Sequence, residues 1–156
     1  MTIYLVDSNI FIQAKNFYYG FDICPGFWDW LDQAVTANEV RSISKVYDEL
    51  AGGGDDLADW IKCRKRDGRF LGITDSLTQD NFRQVAATVY QGPWRDPAKA
   101  NFLAKADPWL VAKAKSIGAT VVTHEKADKS ALKKVPLPNI CDIFKVPYMD
   151  TFALLR

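Results

Sequence analysis

Four residues near the start, Ile3-Tyr4-Leu5-Val6, form a wholly apolar run that stops abruptly at Asp7-Ser8-Asn9. A strand without a polar face has to be covered on both sides, so this run predicts a buried parallel strand in a sheet flanked by helices. The polar residues that end it suit the cap of a helix from Ile10. The same alternation recurs along the chain. Val40 to Ser44, Phe70 to Ile73, Ala119 to Thr123 and Ile140 to Phe144 read as four further short strands.

Helical patterns lie between them. Phe27, Trp30, Leu31 and Ala34 share one face after a loop with Gly20, Pro25 and Gly26. Val46, Glu49 and Leu50 belong to a helix that Ser44 caps and Gly52-Gly53-Gly54 stops. Residues 55–66 read as a charged surface helix and 78–91 as another, before a loop marked by Gly92-Pro93 and Asp96-Pro97. The clearest helix has Asp107 at its N-cap, Pro108 at N1, Leu110, Ala114 and Ile117 on one face, and Gly118 past its end. Pro136 and Pro138 break the chain ahead of the last strand, and Phe152, Leu154 and Leu155 suggest a short terminal helix. Alternating strands and helices predict an α/β fold with a central parallel sheet of four to five strands. With 156 residues, 48% of them hydrophobic, and no repeat or linker, the chain is expected to form a single domain over 1–156.

Ligands of such sheets gather at the carboxyl ends of the strands, and that is where acids fall. Asp7 follows the first strand, Glu125 lies two residues beyond Thr123, Asp107 opens the helix before that strand, and Glu49 sits in the helix after the second. If the first and fourth strands are neighbours, Asp7, Asp107 and Glu125 converge, with Glu49 reaching across. Clustered carboxylates need a compensating cation, and oxygen-only donors favour Mg²⁺ or Mn²⁺ over zinc. Each acid also has a plainer reading: Asp7 and Asp107 as helix caps, Glu49 as a solvated helix acid with Asp48 beside it, Glu125 and Asp128 as loop charges. The order and placement of the set carry the argument.

The net charge of +1 hides an asymmetry: residues 1–78 hold 8 basic and 12 acidic side chains, residues 79–156 hold 12 and 7. One basic cluster is Lys62, Arg64, Lys65, Arg66 and Arg69; another, Lys126, Lys129, Lys133 and Lys134, directly follows Glu125 and is placed to hold a phosphate backbone or simply to be a solvated face. Trp94 and Arg95 offer a base-stacking pair, or a tryptophan partly buried in the core. His124, the lone histidine, has no nucleophile partner beside it. No phosphate-binding Gly-rich loop exists, which argues against a nucleoside triphosphatase. Cys24, Cys63 and Cys141 are odd in number and widely spaced, as expected of packing thiols in a reducing cytoplasm. Nothing approaches a membrane span or signal segment.

Tyr4-Leu5-Val6-Asp7-Ser8-Asn9, Val46-Tyr47-Asp48-Glu49-Leu50, Ala106-Asp107-Pro108-Trp109-Leu110-Val111-Ala112 and Val121-Val122-Thr123-His124-Glu125, in that order, resemble the PIN domain, a family of small metal-dependent ribonucleases, many of them toxins of bacterial toxin–antitoxin pairs. Asp7 matches the acid after the first strand, Glu49 the helix acid and Asp107 the acid opening the late helix. Thr123-His124-Glu125 matches the usual Thr-x-Asp, with Glu for Asp lengthening the arm by one methylene; direct ligation, ligation through water and a positioning role are all open to it. Pro138-Asn139-Ile140-Cys141-Asp142-Ile143-Phe144 with Val146-Pro147 resembles a Thr-x-Glu branch of the family with a cysteine in its last strand.

The resemblance implies a three-layer α/β/α fold with strand order 3-2-1-4-5 and an acidic pocket at the carboxyl ends. It implies Mg²⁺ or Mn²⁺ as cofactor, held by Asp7, Glu49, Asp107 and Glu125, with Ser8, Asn9 and Thr123 orienting the carboxylates. RNA held by Lys126, Lys129, Lys133 and Lys134 is the implied substrate, an antitoxin protein an implied partner, and a cytoplasmic homodimer an implied state, for which Phe17, Tyr18, Tyr19 and Phe21 supply either an interface or a cover for the core. Two other readings stand beside it. One is a PIN-like module that binds RNA or protein without cutting. The other is a Mg²⁺-dependent phosphohydrolase with Asp7 as nucleophile, although such families often use Asp-x-Asp and this chain has Asp7-Ser8-Asn9.

Overall fold

The computed structural model describes residues 3–13, 15, 25–37, 39–64, 68–150 and 154. Its first strand, β1 (Tyr4–Val6), lies at the centre of the sheet, as a run without a polar face requires. Leu5 and Val6 are buried between parallel neighbours: β1 pairs with β2 (Val40–Ile43), Tyr4 opposite Val40, and with β4 (Thr120–Val122), Val6 opposite Val122. The outer strands are β3 (Phe70–Leu71) beside β2 and β5 (Tyr148–Met149) beside β4, giving five parallel strands in the order 3-2-1-4-5. The sheet that the sequence predicts is therefore present.

Eight helices connect the strands among the described residues: α1 (Ser8–Gln13), α2 (Pro25–Thr36), α3 (Ser44–Ala51), α4 (Asp56–Lys62), α5 (Ser76–Gln91), α6 (Asp96–Ala104), α7 (Asp107–Ile117) and α8 (Leu137–Ile143). Crossovers between parallel strands are right-handed as a rule, which for this strand order puts α1–α4 on one face and α5–α8 on the other. The main helix pairs divide the same way: α1 and α4 on α3, and α5, α6 and α8 on α7. Their buried faces meet the sheet through Val46, Leu50, Ile61, Val85, Leu110, Val111 and Ile140. The order of the strands reverses between β1 and β4, and that switch point opens at their carboxyl ends.

Several local expectations are corrected. Ile140 to Phe144 is no strand: it falls in α8 and its C-cap, with Pro138 inside the first turn, where a missing N–H costs nothing. Leu137, Ile140 and Cys141 are spaced as one buried helical face, and the last strand is β5 instead, so Cys141 is helical. Asp96-Pro97 starts α6 rather than a loop. Ser44 is the first residue of α3 and caps nothing; Ile43 holds the cap position. The helix expected from Ile10 begins at Ser8. Residues 55–66 are more than a surface helix, since Leu57, Ala58 and Ile61 of α4 are buried and Asp55 caps it through Ala58 N–H at 2.9 Å. Gly118 does close α7, in the left-handed region at φ 70°. Phe17, Tyr18, Tyr19, Phe21 and Cys24 lie outside the described residues, as does the terminal helix apart from Leu154.

Candidate active site

Asp7 is fixed by the sheet. Its N–H donates to Val122 O at 3.0 Å, continuing the β1–β4 ladder one step past the strand. The side chain is fully buried, and Thr123 Oγ1 donates to Oδ2 at 3.1 Å. Asn9 N–H also donates to the carboxylate, so Asp7 caps the first turn of α1 while facing the switch point. Ser8 Oγ lies 3.4 Å from Asp7 Oδ1 and 3.2 Å from Glu49 Oε2; its single proton serves one carboxylate at a time.

Glu49 reaches across from α3. Its Oε1 accepts Ala106 N–H at 2.7 Å, and Ala106 holds the cap position of α7, where its own side chain has nothing to offer. Asp107 is accordingly not the N-cap but the first residue of α7, with Pro108 behind it. Relieved of capping, its carboxylate has no hydrogen-bond partner among the described residues, although the side chain is only 5% exposed.

Glu125 N–H donates to Thr123 Oγ1 at 3.2 Å, which keeps the turn after β4 tight. Glu125 Oε2 accepts Leu137 N–H at 2.8 Å, at the start of α8, and Oε1 pairs with Lys134 Nζ at 3.0 Å. Both glutamates thus place an oxygen on the first amides of a helix that belongs to another part of the chain. A negative charge there is favourable, because those N–H groups have no partner within the helix.

The four acids share one electrostatic neighbourhood. Burial, then repulsion from Glu125 and Glu49, holds Asp7 up at about 6 against the pull of the Thr123 and Asn9 hydrogen bonds. Burial raises Asp107 to about 8, reinforced by Asp7, Glu125 and Glu49 and only partly relieved by Lys105. The Cys141 thiol behind them is pushed to about 12, by burial first and then by Asp142, Asp107 and Asp7. Carboxyls this crowded hold protons near neutrality unless a cation takes their place. Their oxygens suit a hard divalent ion. Among the described residues no three acid, histidine or cysteine side chains are already grouped around one ion position.

Above Asp107 lies an open cavity of about 270 Å³, with Phe102 and Val135 in its walls and Lys105, Lys133 and Lys134 beside the acid. Lys105 and Asn101, also in the lining, escape the sequence reading, since neither belongs to a charge run. Lys126 lines a second hollow of about 260 Å³ with Thr123, His124, Tyr148 and Asp150, while Lys129 is exposed and lines neither. Burial lowers the pKa of His124, opposed by Asp150, so the imidazole is neutral at pH 7. The remaining candidates are otherwise engaged. Asp128 receives Ser130 N–H and Oγ within its own loop, and Asp48 is exposed. Arg64 and Arg69 pair with Asp32 at 2.9 and 2.8 Å, which makes that cluster partly internal. Trp94 is buried in the core, so the reading of it as a packed tryptophan holds and the stacking role falls away.

A family model described as a domain of unknown function, DUF4411, matches residues 4–156. No curated protein matches the chain. Among solved structures, VapBC2 from Rickettsia felis, bound to a DNA fragment from their promoter, is similar with a TM-score of 0.58 at 15% identity, over 96% of this chain and 98% of that one. FitAcB from Neisseria gonorrhoeae is similar with a TM-score of 0.53 at 16% identity, over 94% and 96%. The likeness is one of fold, and it makes this fold PIN-like.

Proposed function

The chain belongs to the DUF4411 family and has a PIN-like fold, and from there we propose that it is a metal-dependent endoribonuclease that hydrolyses RNA phosphodiester bonds. The observation that carries this reading is the pair Asp7 and Asp107, buried at the carboxyl ends of β1 and β4 with raised pKa values, Asp107 lining a cavity walled by lysines. Asp7, Asp107 and Glu49 would hold the divalent ion, and Glu125 completes the acidic cluster beside them. Bound there, Mg²⁺ or Mn²⁺ supplies charge neutralisation for the phosphodiester and activation of water.

The chain's own residues do the rest. Thr123 and Asn9 keep Asp7 in one orientation through hydrogen bonds to its oxygens, and Ser8 Oγ lies between Asp7 and Glu49, donating to one of them at a time. Lys105, Lys133 and Lys134 attract and hold the RNA backbone, with Lys126 extending the basic surface. Backbone contacts of this kind hold RNA without reading its sequence. An antitoxin that covers the cavity and a homodimeric state are part of the same proposal, tested by co-purification and by light scattering.

The decisive experiment is cleavage of a fluorescent single-stranded RNA across a Mn²⁺ and Mg²⁺ titration, wild type beside Asp7→Asn. Metal-dependent cleavage lost in the variant supports the reading; intact RNA together with no binding of either ion defeats it. A second reading is favoured by one observation: Glu49 and Glu125 spend oxygens on backbone amides, as a silent RNA-binding module can afford. In that case Asp7→Asn leaves RNA affinity unchanged and there is no cleavage to lose.

A further inference from the structure

One side chain closes the loop that carries the second lysine cluster. Glu125 stands at the entrance of residues 126–136 and Leu137 at the exit, and Glu125 Oε2 takes the Leu137 N–H at 2.8 Å. The other oxygen holds Lys134 Nζ at 3.0 Å. The acid is 13% exposed and the lysine 62%, so the buried partner is the fixed one. Two further bonds brace the loop from outside: Arg95 N–H to Leu132 O at 2.8 Å, and Asp128 N–H to Asn139 Oδ1 at 2.9 Å. Within this stretch Lys133, Lys134 and Val135 form one wall of the cavity over Asp107. A compact loop whose ends are tied together presents its side chains in a set direction.

We propose that Glu125 is a positioning residue rather than an ion ligand: it clasps the 126–136 loop so that Lys133 and Lys134 form the phosphate-binding wall of the cavity. One of its oxygens is taken by a backbone amide and the other by the Lys134 ammonium, a cation already paired with the acid, whereas Glu49 has only neutral donors beside it. Its extra methylene is what an aspartate at this position lacks for reaching the start of α8. What the lysines bind rests on the ribonuclease reading above; the clasp itself does not.

Two substitutions separate the clasp from ligation, because they fail in opposite ways. Glu125→Gln keeps an oxygen of the right length for the Leu137 amide but loses the charge an ion needs. Glu125→Asp keeps the charge but shortens the reach. Three quantities are read on each full-length variant: exchange of the Leu137 amide, Mn²⁺ affinity by calorimetry, and affinity for a labelled single-stranded RNA in EDTA. With a clasp, Glu125→Asp speeds Leu137 exchange about tenfold and weakens RNA binding about five- to tenfold, as expected for one hydrogen bond and its ordered loop. Glu125→Gln leaves exchange and Mn²⁺ affinity within about threefold of wild type.

A loss of Mn²⁺ affinity of tenfold or more in Glu125→Gln, with Glu125→Asp unaffected, overturns the proposal in favour of ligation. Unchanged Leu137 exchange in Glu125→Asp overturns the clasp, and unchanged RNA affinity in that variant overturns the positioning of the lysines. If the wild-type protein binds neither Mn²⁺ nor RNA, the ribonuclease reading fails, and the exchange data alone then decide the clasp.

Discussion

Glu49 serves as the cap that α7 does not carry in its own sequence: its Oε1 accepts the Ala106 N–H at 2.7 Å across 57 positions of chain. The bond does two things at once. It anchors α3 against the start of α7, and it leaves Asp107, the next residue, without a capping duty. A helix N-terminus that would otherwise bind its own aspartate is satisfied from outside, and the aspartate is left facing the other acids.

Removing that bond is expected to loosen α7 at its start. Glu49→Ala should cost about 1 kcal/mol of stability, the usual worth of a cap or partly buried hydrogen bond, whereas Glu49→Gln, which retains an acceptor, should cost less. Urea unfolding of the metal-free protein measures the difference. Equal losses in the two variants would mean that the charge, not the bond, matters at this position.

The raised pKa values of Asp7, about 6, and Asp107, about 8, fix the sign of a pH effect. Between their ordinary value of 3.8 and these values the folded protein binds more protons than the unfolded chain. This contribution is fully present below pH 3.8 and is lost as pH rises through 6 and then 8, so the metal-free fold should weaken from pH 5 to pH 8.5. Denaturant midpoints in EDTA test it. Asp107→Asn should flatten the decline and, at pH 8, stabilise the metal-free protein by about 1–2 kcal/mol, or roughly 3–6 °C in Tm, while reducing cleavage at least ~100-fold. A variant that is less stable than wild type at pH 8 would contradict the crowding of the acids.

The lysine wall predicts a salt signature. Lys105→Ala and Lys133→Ala should each weaken binding of single-stranded RNA and reduce the slope of log K against log salt by about 0.7, the increment for one phosphate contact on a single strand. Lys129→Ala, outside both hollows, should change the slope by less. Fluorescence anisotropy at several salt concentrations in EDTA resolves these cases.

Among the described glycines, Gly92 is the one whose added Cβ would overlap a neighbouring side chain. A Cβ there would overlap the indole of Trp94, which is buried in the core and held by its neighbours. Gly92→Ala should therefore cost about 1–3 kcal/mol through overpacking, read as a lowered Tm without loss of Mn²⁺ affinity.

The parts of this fold legible in the sequence are those with a strong local signal. A run apolar on both faces gave β1, and Asp7 behind it followed from the rule for strand ends. Gly118 after a periodic run marked the end of α7. The misreading of α8 has a physical origin: Ile140 to Phe144 is too short for periodicity to separate strand from helix, and the two prolines suit a first helical turn as well as a break. The partners of Glu49 and Glu125 were beyond reach, because both are backbone amides, which every residue but proline carries and no side chain announces. Lys105 was missed for a related reason, being a single charge whose place beside Asp107 depends on how α6 meets α7.

The hydrogen bond from Thr123 to Asp7 joins residues 116 positions apart. During synthesis the first strand leaves the ribosome long before the segment that completes its other side, and at about 5–20 residues per second the interval lasts several seconds or more. Through that interval Asp7 has neither Thr123 nor Asp107 beside it. The acidic cluster is thus withheld from the nascent chain until the segment around Thr123 has been made, so its first member waits for partners that lie more than a hundred residues downstream.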